Sequence, residues 1–146
     1  LSSSGARKWI DVHYYTDTEA CFDHFKMNYK TILGTHLSES AKPLHQLDLT
    51  QSTALLFGNE KDGISQEALS YTDGNFIIPQ VGMVESLNIS VACAVTLYEA
   101  FRQRLHAGKY EQAENLTEAK RREMLMEYIR RHDAKESRKT ARRINK

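Results

Sequence analysis

The chain has 146 residues, 40% of them apolar and 27% charged, with a formal net charge of +1. That length and apolar content suit one ordinary domain with a hydrophobic core. They exclude a membrane span, because no run approaches the roughly 18 apolar residues needed, and Leu1-Ser2-Ser3-Ser4-Gly5-Ala6-Arg7-Lys8 lacks the order of a secretory signal, so a cytoplasmic location is expected.

Trp9-Ile10-Asp11-Val12-His13-Tyr14 alternates in the manner of a half-buried strand. Thr16-Asp17-Thr18 then offers capping oxygens to a helix carrying Ala20, Cys21, Phe22, Phe25 and Met27. Thr31-Ile32-Leu33 reads as the next strand and ends at Gly34-Thr35-His36. Thr53-Ala54-Leu55-Leu56-Phe57 is an apolar run of the kind buried on both faces of a parallel sheet, stopped by Gly58. Ser65 is placed to cap a short helix over 66–69, and Asn75-Phe76-Ile77-Ile78 forms a short strand ended by Pro79. Between Ser86 and His106 apolar residues recur at three- and four-residue spacing, predicting the longest helix, with Gly108 as its stop. Residues 115–134 predict another helix, with Asn115 and Glu118 in capping-box spacing.

Strands alternating with helices through short connections indicate an α/β fold with a mainly parallel sheet and helices on both faces. Ligands of such sheets bind beyond the carboxyl ends of the strands, which directs attention to the loops leaving Leu33, Phe57 and Ile78. Charge is uneven: residues 128–146 hold eight Lys or Arg against two acids, a composition suited to a phosphate-binding arm or a solvated tail that orders on binding. Cys21 and Cys93 fall in apolar-periodic segments and read as core thiols. The six histidines show no ligand spacing on one helix, and no metal is expected.

Two loops carry most of the polar residues. Phe57-Gly58-Asn59-Glu60-Lys61-Asp62-Gly63-Ile64 puts a glycine at a strand end, then amide and carboxylate groups, then a second glycine. A plain strand-to-helix turn would use the same residue types. Pro79-Gln80-Val81-Gly82-Met83-Val84-Glu85-Ser86-Leu87-Asn88 is a long irregular link with four apolar side chains that something must cover. A flat apolar ring would do so, as would packing on a neighbouring loop or subunit. Ser86 and Asn88 also stand where a helix N-cap is needed.

The first of these loops resembles motif 2 of the SpoU family of RNA ribose 2′-O-methyltransferases, within the SPOUT superfamily. Ile78-Pro79 through Gly82, followed by Ser86-Leu87-Asn88-Ile89-Ser90-Val91-Ala92, resembles motif 3 of that family. Ile32 through Ser38 and Leu97 through Arg104 are most similar to the TrmH-type tRNA enzymes. The resemblance covers roughly residues 1–110 and weakens along the tail.

The resemblance implies an α/β fold whose C-terminal segment threads a trefoil knot, an arrangement otherwise almost absent from proteins. It implies S-adenosyl-L-methionine bound in a bent form among the knot loops, at Thr35, Gly58, Ile78 and Leu87, with Met83 beside the adenine. Glu60, Ser86 and Asn88 fall in the catalytic neighbourhood, Asn88 and Glu60 orienting loops and substrate. Arg102 and Arg104 match an Arg-x-Arg feature directed toward tRNA, although two cations at a helix C-terminus would also suit the macrodipole. A homodimer through the motif 3 helix follows, with no membrane and no metal. The implied target is guanosine 18 of the tRNA D-loop; ribosomal RNA, another tRNA position, and a non-catalytic RNA-binding or dimerisation module stay open.

Methyl transfer to a ribose hydroxyl needs positioned reactants and help in removing a weakly acidic proton, which Asn, Ser, Glu and a cationic group supply. The family's arginine-bearing motif 1 normally lies upstream of the region matching Leu1, and no equivalent precedes Trp9. The chain is therefore expected to be a fragment, a processed product, or a chain whose N-terminal part is not represented, with no activity implied for it alone. The expected organisation is a methyltransferase domain over 1–108 and a helical, basic C-terminal extension over 109–146. Gln112 stands where a further arginine is expected, and Lys139, Arg142 and Arg143 are weaker candidates for RNA contact.

Overall fold

Among the described residues, four strands form one wholly parallel sheet: β1 (Thr31–Thr35), β2 (Lys42–Pro43), β3 (Thr53–Leu56) and β4 (Gly74–Ile77), in the order β2-β4-β1-β3. The helices are α1 (Thr18–Asn28), α2 (Gln66–Ser70), α3 (Ile89–His106) and α4 (Glu118–Ile144), with a 3₁₀ turn at Leu44–Gln46. The computed structural model describes residues 10–59, 61–82, 87–111 and 117–144. The chain divides into two compact units, residues 15–111 and residues 1–14 with 112–146.

In the unit of residues 15–111, alternation along each strand sorts side chains onto two faces. Ile32 and Ala54 join Phe22 of α1 in one core cluster, with Phe25, Leu56, Ala68 and Tyr71 packed against it. The other cluster is Leu44, Leu47, Leu49, Phe76 and Ala100, flanked by Leu33, Leu55, Phe57 and Ile78. Helices α1 and α2 thus supply one face, and α3 with the 3₁₀ turn supplies the other. Phe22 stacks on Tyr71 with centroids 4.7 Å apart, and the Lys26 ammonium lies 5.0 Å from the opposite partner of that stack, the Tyr71 ring centroid.

Local signals account for the element ends. The Asp17 carboxylate accepts from the Glu19 and Ala20 amides, Ser65 accepts from Ala68 N–H, and Asn88 accepts from Ser90 N–H, so each helix start gains partners for otherwise orphaned donors. Gly108 follows α3 with φ +67°, and the Lys109 amide donates back to the Arg104 carbonyl at 2.9 Å. The turn before β4 is pinned to β1 by Asp73, whose carboxylate accepts from Ile32 N–H at 2.7 Å while its own amide donates to the Ile32 carbonyl at 2.8 Å.

Three expectations change. The alternating stretch 10–14 is not a strand: Ile10 and Tyr14 are 58% and 81% exposed, so the alternation has no buried face to satisfy. In the unit formed with α4, Ile10 and Asp11 instead accept from the Arg131 guanidinium, Asp11 at 2.5 Å. Met27 lies on the outer side of α1. Helix α4 continues past residue 134 to Ile144, through a stretch with neither Gly nor Pro to break it. Its start is served by Thr117, whose hydroxyl accepts from Lys120 N–H; Asn115 lies outside the described residues.

Helix α3 faces the sheet with small residues. Thr96 and Ala100 are its buried positions, and the Thr96 hydroxyl is satisfied by the Ala92 carbonyl at 2.8 Å. Its bulky apolar residues point elsewhere, with Leu97 55% and Tyr98 70% exposed. No helix among the described residues is long and apolar enough to cross a membrane.

Candidate functional site

Because all four strands run parallel, the loops leaving β1, β3 and β4 emerge on one edge of the sheet. The register sets Gly34 beside Leu56 and Thr35 beside Phe76, so Thr35, Gly58 and Ile78 stand at the ends of three neighbouring strands with β1 in the middle. At the usual strand spacing they span about 10 Å. All three are half-buried. The Thr35 hydroxyl donates to the Leu56 carbonyl at 3.3 Å, and the His36 amide donates to the Phe76 carbonyl at 3.2 Å, which ties the three strand ends together.

The loop after β3 closes on itself. Asn59 and Gly63 exchange two backbone hydrogen bonds of 3.0 and 3.1 Å, and the Asn59 side-chain oxygen accepts from the Lys61 and Asp62 amides at 2.9 and 2.6 Å. Gly63 takes φ +69°, and a Cβ on Gly58 would lie 2.1 Å from the Gly63 carbonyl carbon. Gly58 is thus demanded by the loop's own closure, a reason for the glycine beyond approach by a ligand. Asn59 serves as the internal lock, a role carried in the sequence only by the turn preference of Asn before Asp-Gly.

Asn88 caps α3 and is exposed, and Leu87 before it is half-buried. Glu60, Met83 and Ser86 lie outside the described residues. A hollow of about 190 Å³ lies among Leu44, His45, Pro79, Val95, Tyr98 and Glu99. It is smaller than the roughly 300 Å³ at which ligand clefts begin. A larger one, of about 500 Å³, is bordered by Glu118, Ala119, Arg122, Glu123 and Met126 of α4 alone, so it is a helix flank rather than an enclosure.

The two arginines of α3 are already engaged. Arg102 makes a two-pronged pair with Glu99, both bonds 2.8 Å, and its side chain stays 58% exposed. Arg104 donates to the Leu49 carbonyl at 2.9 Å and the Gln51 carbonyl at 3.0 Å. Between them Gln103, unremarked in the sequence, donates to the Leu47 carbonyl and to Glu99 and accepts from Leu49 N–H. The apolar spacing of Leu44, Leu47 and Leu49 was the available signal that this segment docks on a helix.

Hydrogen bonds from Arg102 and then Gln103 hold the Glu99 carboxyl down to about 2. A carboxyl depressed in the folded state stabilises the fold above its unfolded value of about 4.3, and that contribution is lost as pH falls through about 2. The melting temperature of Glu99→Gln is therefore expected to lie below that of the parent at neutral pH and to converge with it as pH is lowered from about 4.3 toward 2. Parallel melting curves across that window would remove Glu99 from the acid response.

The model of the SpoU rRNA Methylase family matches residues 1–98. The chain belongs to the SpoU family. A tRNA (guanosine(18)-2′-O)-methyltransferase of Thermus thermophilus is 46% identical over 110 residues, covering 75% of this chain and 57% of that protein. The protein of the same name from Escherichia coli K12 is 42% identical over 127 residues, covering 86% and 56%. The chain thus spans little more than half the length of these relatives. Among solved structures, an A. aeolicus TrmH/SpoU tRNA modifying enzyme superposes with TM-score 0.77 at 33% identity, covering 86% of this chain and 64% of that one. The SpoU methyltransferase AviRb of Streptomyces viridochromogenes, solved in complex with AdoMet, gives 0.51 at 31% identity, covering 60% and 35%. Within the SpoU match lie Thr35, Gly58, Ile78 and Asn88; Arg102 and Arg104 follow its end.

Proposed function

We propose that this chain carries the cofactor-binding and RNA-facing part of an S-adenosylmethionine-dependent enzyme that methylates a ribose 2′-hydroxyl, with guanosine 18 of tRNA as the target. The observation that carries the reading is the meeting of Thr35, Gly58 and Ile78 at three adjacent strand ends, inside the SpoU match. Half-buried apolar Phe57, Ile78 and Leu87 suit a purine ring and Thr35 adds a hydroxyl, so the residues fit the cofactor. Thr35, Gly58, Ile78 and Leu87 would hold it, with Met83 beside the adenine. When bound it supplies a methyl group already activated on a sulfonium.

The protein's task is then to orient a hydroxyl in line with that methyl and to let its proton leave. We assign orientation to Asn88 and Glu60, with Ser86 in the same neighbourhood, and phosphate contact to Arg102 and Arg104. We also infer a trefoil knot in the C-terminal part of the methyltransferase domain over 1–108, a basic helical extension over 109–146, and a cytoplasmic setting. The homodimer through α3 belongs to the same proposal. Its support is the outward apolar row of Val91, Val95, Leu97, Tyr98, Phe101 and Leu105, between 39% and 70% exposed, more than an isolated helix face ordinarily leaves in water.

The complete polypeptide containing this chain, given labelled S-adenosylmethionine and tRNA, is expected to leave a 2′-O-methyl mark at guanosine 18. Asn88→Ala should lower kcat about 10- to 100-fold, the scale of lost orientation. No mark on tRNA or ribosomal RNA, or a monomer in sedimentation, would count against the respective parts. A mark on ribosomal RNA alone would favour a second reading, which has support in a 23S rRNA (guanosine-2′-O-)-methyltransferase RlmB of Xanthomonas axonopodis, 37% identical over 106 residues.

A further inference from the structure

We propose that Gln103 is a positioning residue for RNA, the part that sets Arg102 and Arg104 at fixed places relative to the sheet. This rests on the reading that the two arginines face RNA. Glu99, Arg102 and Gln103 fall at i, i+3 and i+4 on α3, and so share one side of the helix. The Gln103 amide nitrogen donates to the Leu47 carbonyl at 2.9 Å and to Glu99 Oε1 at 2.8 Å, which uses both of its hydrogens. Its oxygen accepts from Leu49 N–H at 2.8 Å.

Two of those three partners, Glu99 and Leu49, lead to an arginine. Glu99 Oε1 is the atom that also accepts from Arg102 Nη2, so Gln103 holds the carboxylate that aims the Arg102 guanidinium. The Leu49 residue that Gln103 grips by its amide is gripped by Arg104 at its carbonyl. Leu49 is 1% exposed, inside the cluster with Phe76, and that burial anchors the whole arrangement to the sheet. Arg102 and Arg104 are therefore two cations of one hydrogen-bonded frame whose shared member is Gln103. A phosphate arriving at either meets a guanidinium whose direction is already set, which lowers the ordering cost of binding.

No other uncharged side chain of ordinary type reproduces the frame. Methionine matches the length and lacks the hydrogen bonds; glutamate keeps the acceptor, loses both donors and sets a second carboxylate against Glu99. In the complete polypeptide, Gln103→Met is expected to raise the KM for tRNA about 10-fold while kcat and the KM for S-adenosylmethionine stay within about 2-fold, since the arginines are misdirected rather than lost. Gln103→Glu should have the larger effect in the same direction. The slope of log affinity for tRNA against log salt should be unchanged in Gln103→Met and fall by about one in Arg102→Ala, where a cation is removed.

All constants are taken well below each variant's melting temperature. An unchanged KM for tRNA in both Gln103 variants, or kcat and cofactor affinity falling together with it, would overturn the positioning role while leaving the RNA-facing arginines in place. If Arg102→Ala and Arg104→Ala also leave tRNA binding and its salt slope unaltered, the underlying RNA-facing reading fails instead.

Discussion

Gly58→Ala is expected to destabilise residues 15–111 by about 3 kcal/mol or more, at the upper end of what overpacking costs. The added Cβ would sit 2.1 Å from the Gly63 carbonyl carbon and 2.4 Å from the Ile64 nitrogen. Those are backbone atoms, with no flexible side-chain end to swing away, so the loop must open or β3 must retreat. Opening breaks the paired bonds between Asn59 and Gly63 and frees the Ile64 side chain, 8% exposed, from the core. At roughly 4 °C or more per kcal/mol for a unit of this size, the melting temperature should fall by at least about 12 °C. Gly63→Ala is the internal comparison: nothing stands within 4 Å of its added Cβ, and only the strain of φ +69° remains, on the order of 1 kcal/mol. Thermal melts that rank the two variants equally would remove the close approach as the reason for Gly58.

The other large effect belongs to Phe76. It is 0% exposed, lies on β4 between β1 and β2, and meets Phe57 edge to face with centroids 6.3 Å apart. Truncation to Ala leaves a cavity at the middle of the cluster that also holds Leu44, Leu47, Leu49 and Ala100, and the expected cost is about 3–5 kcal/mol. That is a large share of the roughly 5–15 kcal/mol available to a folded domain. Denaturant titration should show a lower midpoint with an unchanged slope, because the surface exposed on unfolding is nearly the same. A loss under 1 kcal/mol would mean that the surroundings collapse into the space, and that Phe76 does not set the distance between α3 and the sheet.

What the sequence disclosed follows from which elements carry their own signals. Asp17, Ser65 and Asn88 cap helices through side chains of recognisable capping type, β3 lies in a continuous apolar run, and β1 and β4 are short apolar stretches closed by Gly34-Thr35 and Pro79, so the α/β architecture was legible. The strand β2 is only Lys42–Pro43, too short to show a period, and its place at the far edge beside β4 follows from pairing between residues more than 30 apart. Residues 10–14 mislead in the opposite direction, because alternation is necessary for a half-buried strand but does not provide a neighbour to pair with. At the candidate site, the family resemblance pointed to Thr35, Gly58, Ile78 and Asn88, and the register brings the first three to adjacent strand ends. Gln103 stayed invisible because its meaning lies in three partners, two of them backbone groups 54 and 56 residues away.

The contact between Arg131 and Asp11 joins residues 120 apart, and the whole of residues 15–111 lies between them in the chain. At about 5–20 residues per second, the end of this inner unit leaves the ribosome roughly 1–4 s ahead of Arg131, an interval in which it can fold. During that interval the Ile10 carbonyl and the Asp11 carboxylate lack the Arg131 guanidinium that donates to them in the finished fold. The closure itself is cheap, since loop entropy grows only with the logarithm of length, by about 0.6 kcal/mol per doubling. Timing, rather than energy, therefore sets this contact apart: the inner unit can be complete while Asp11 still awaits its partner.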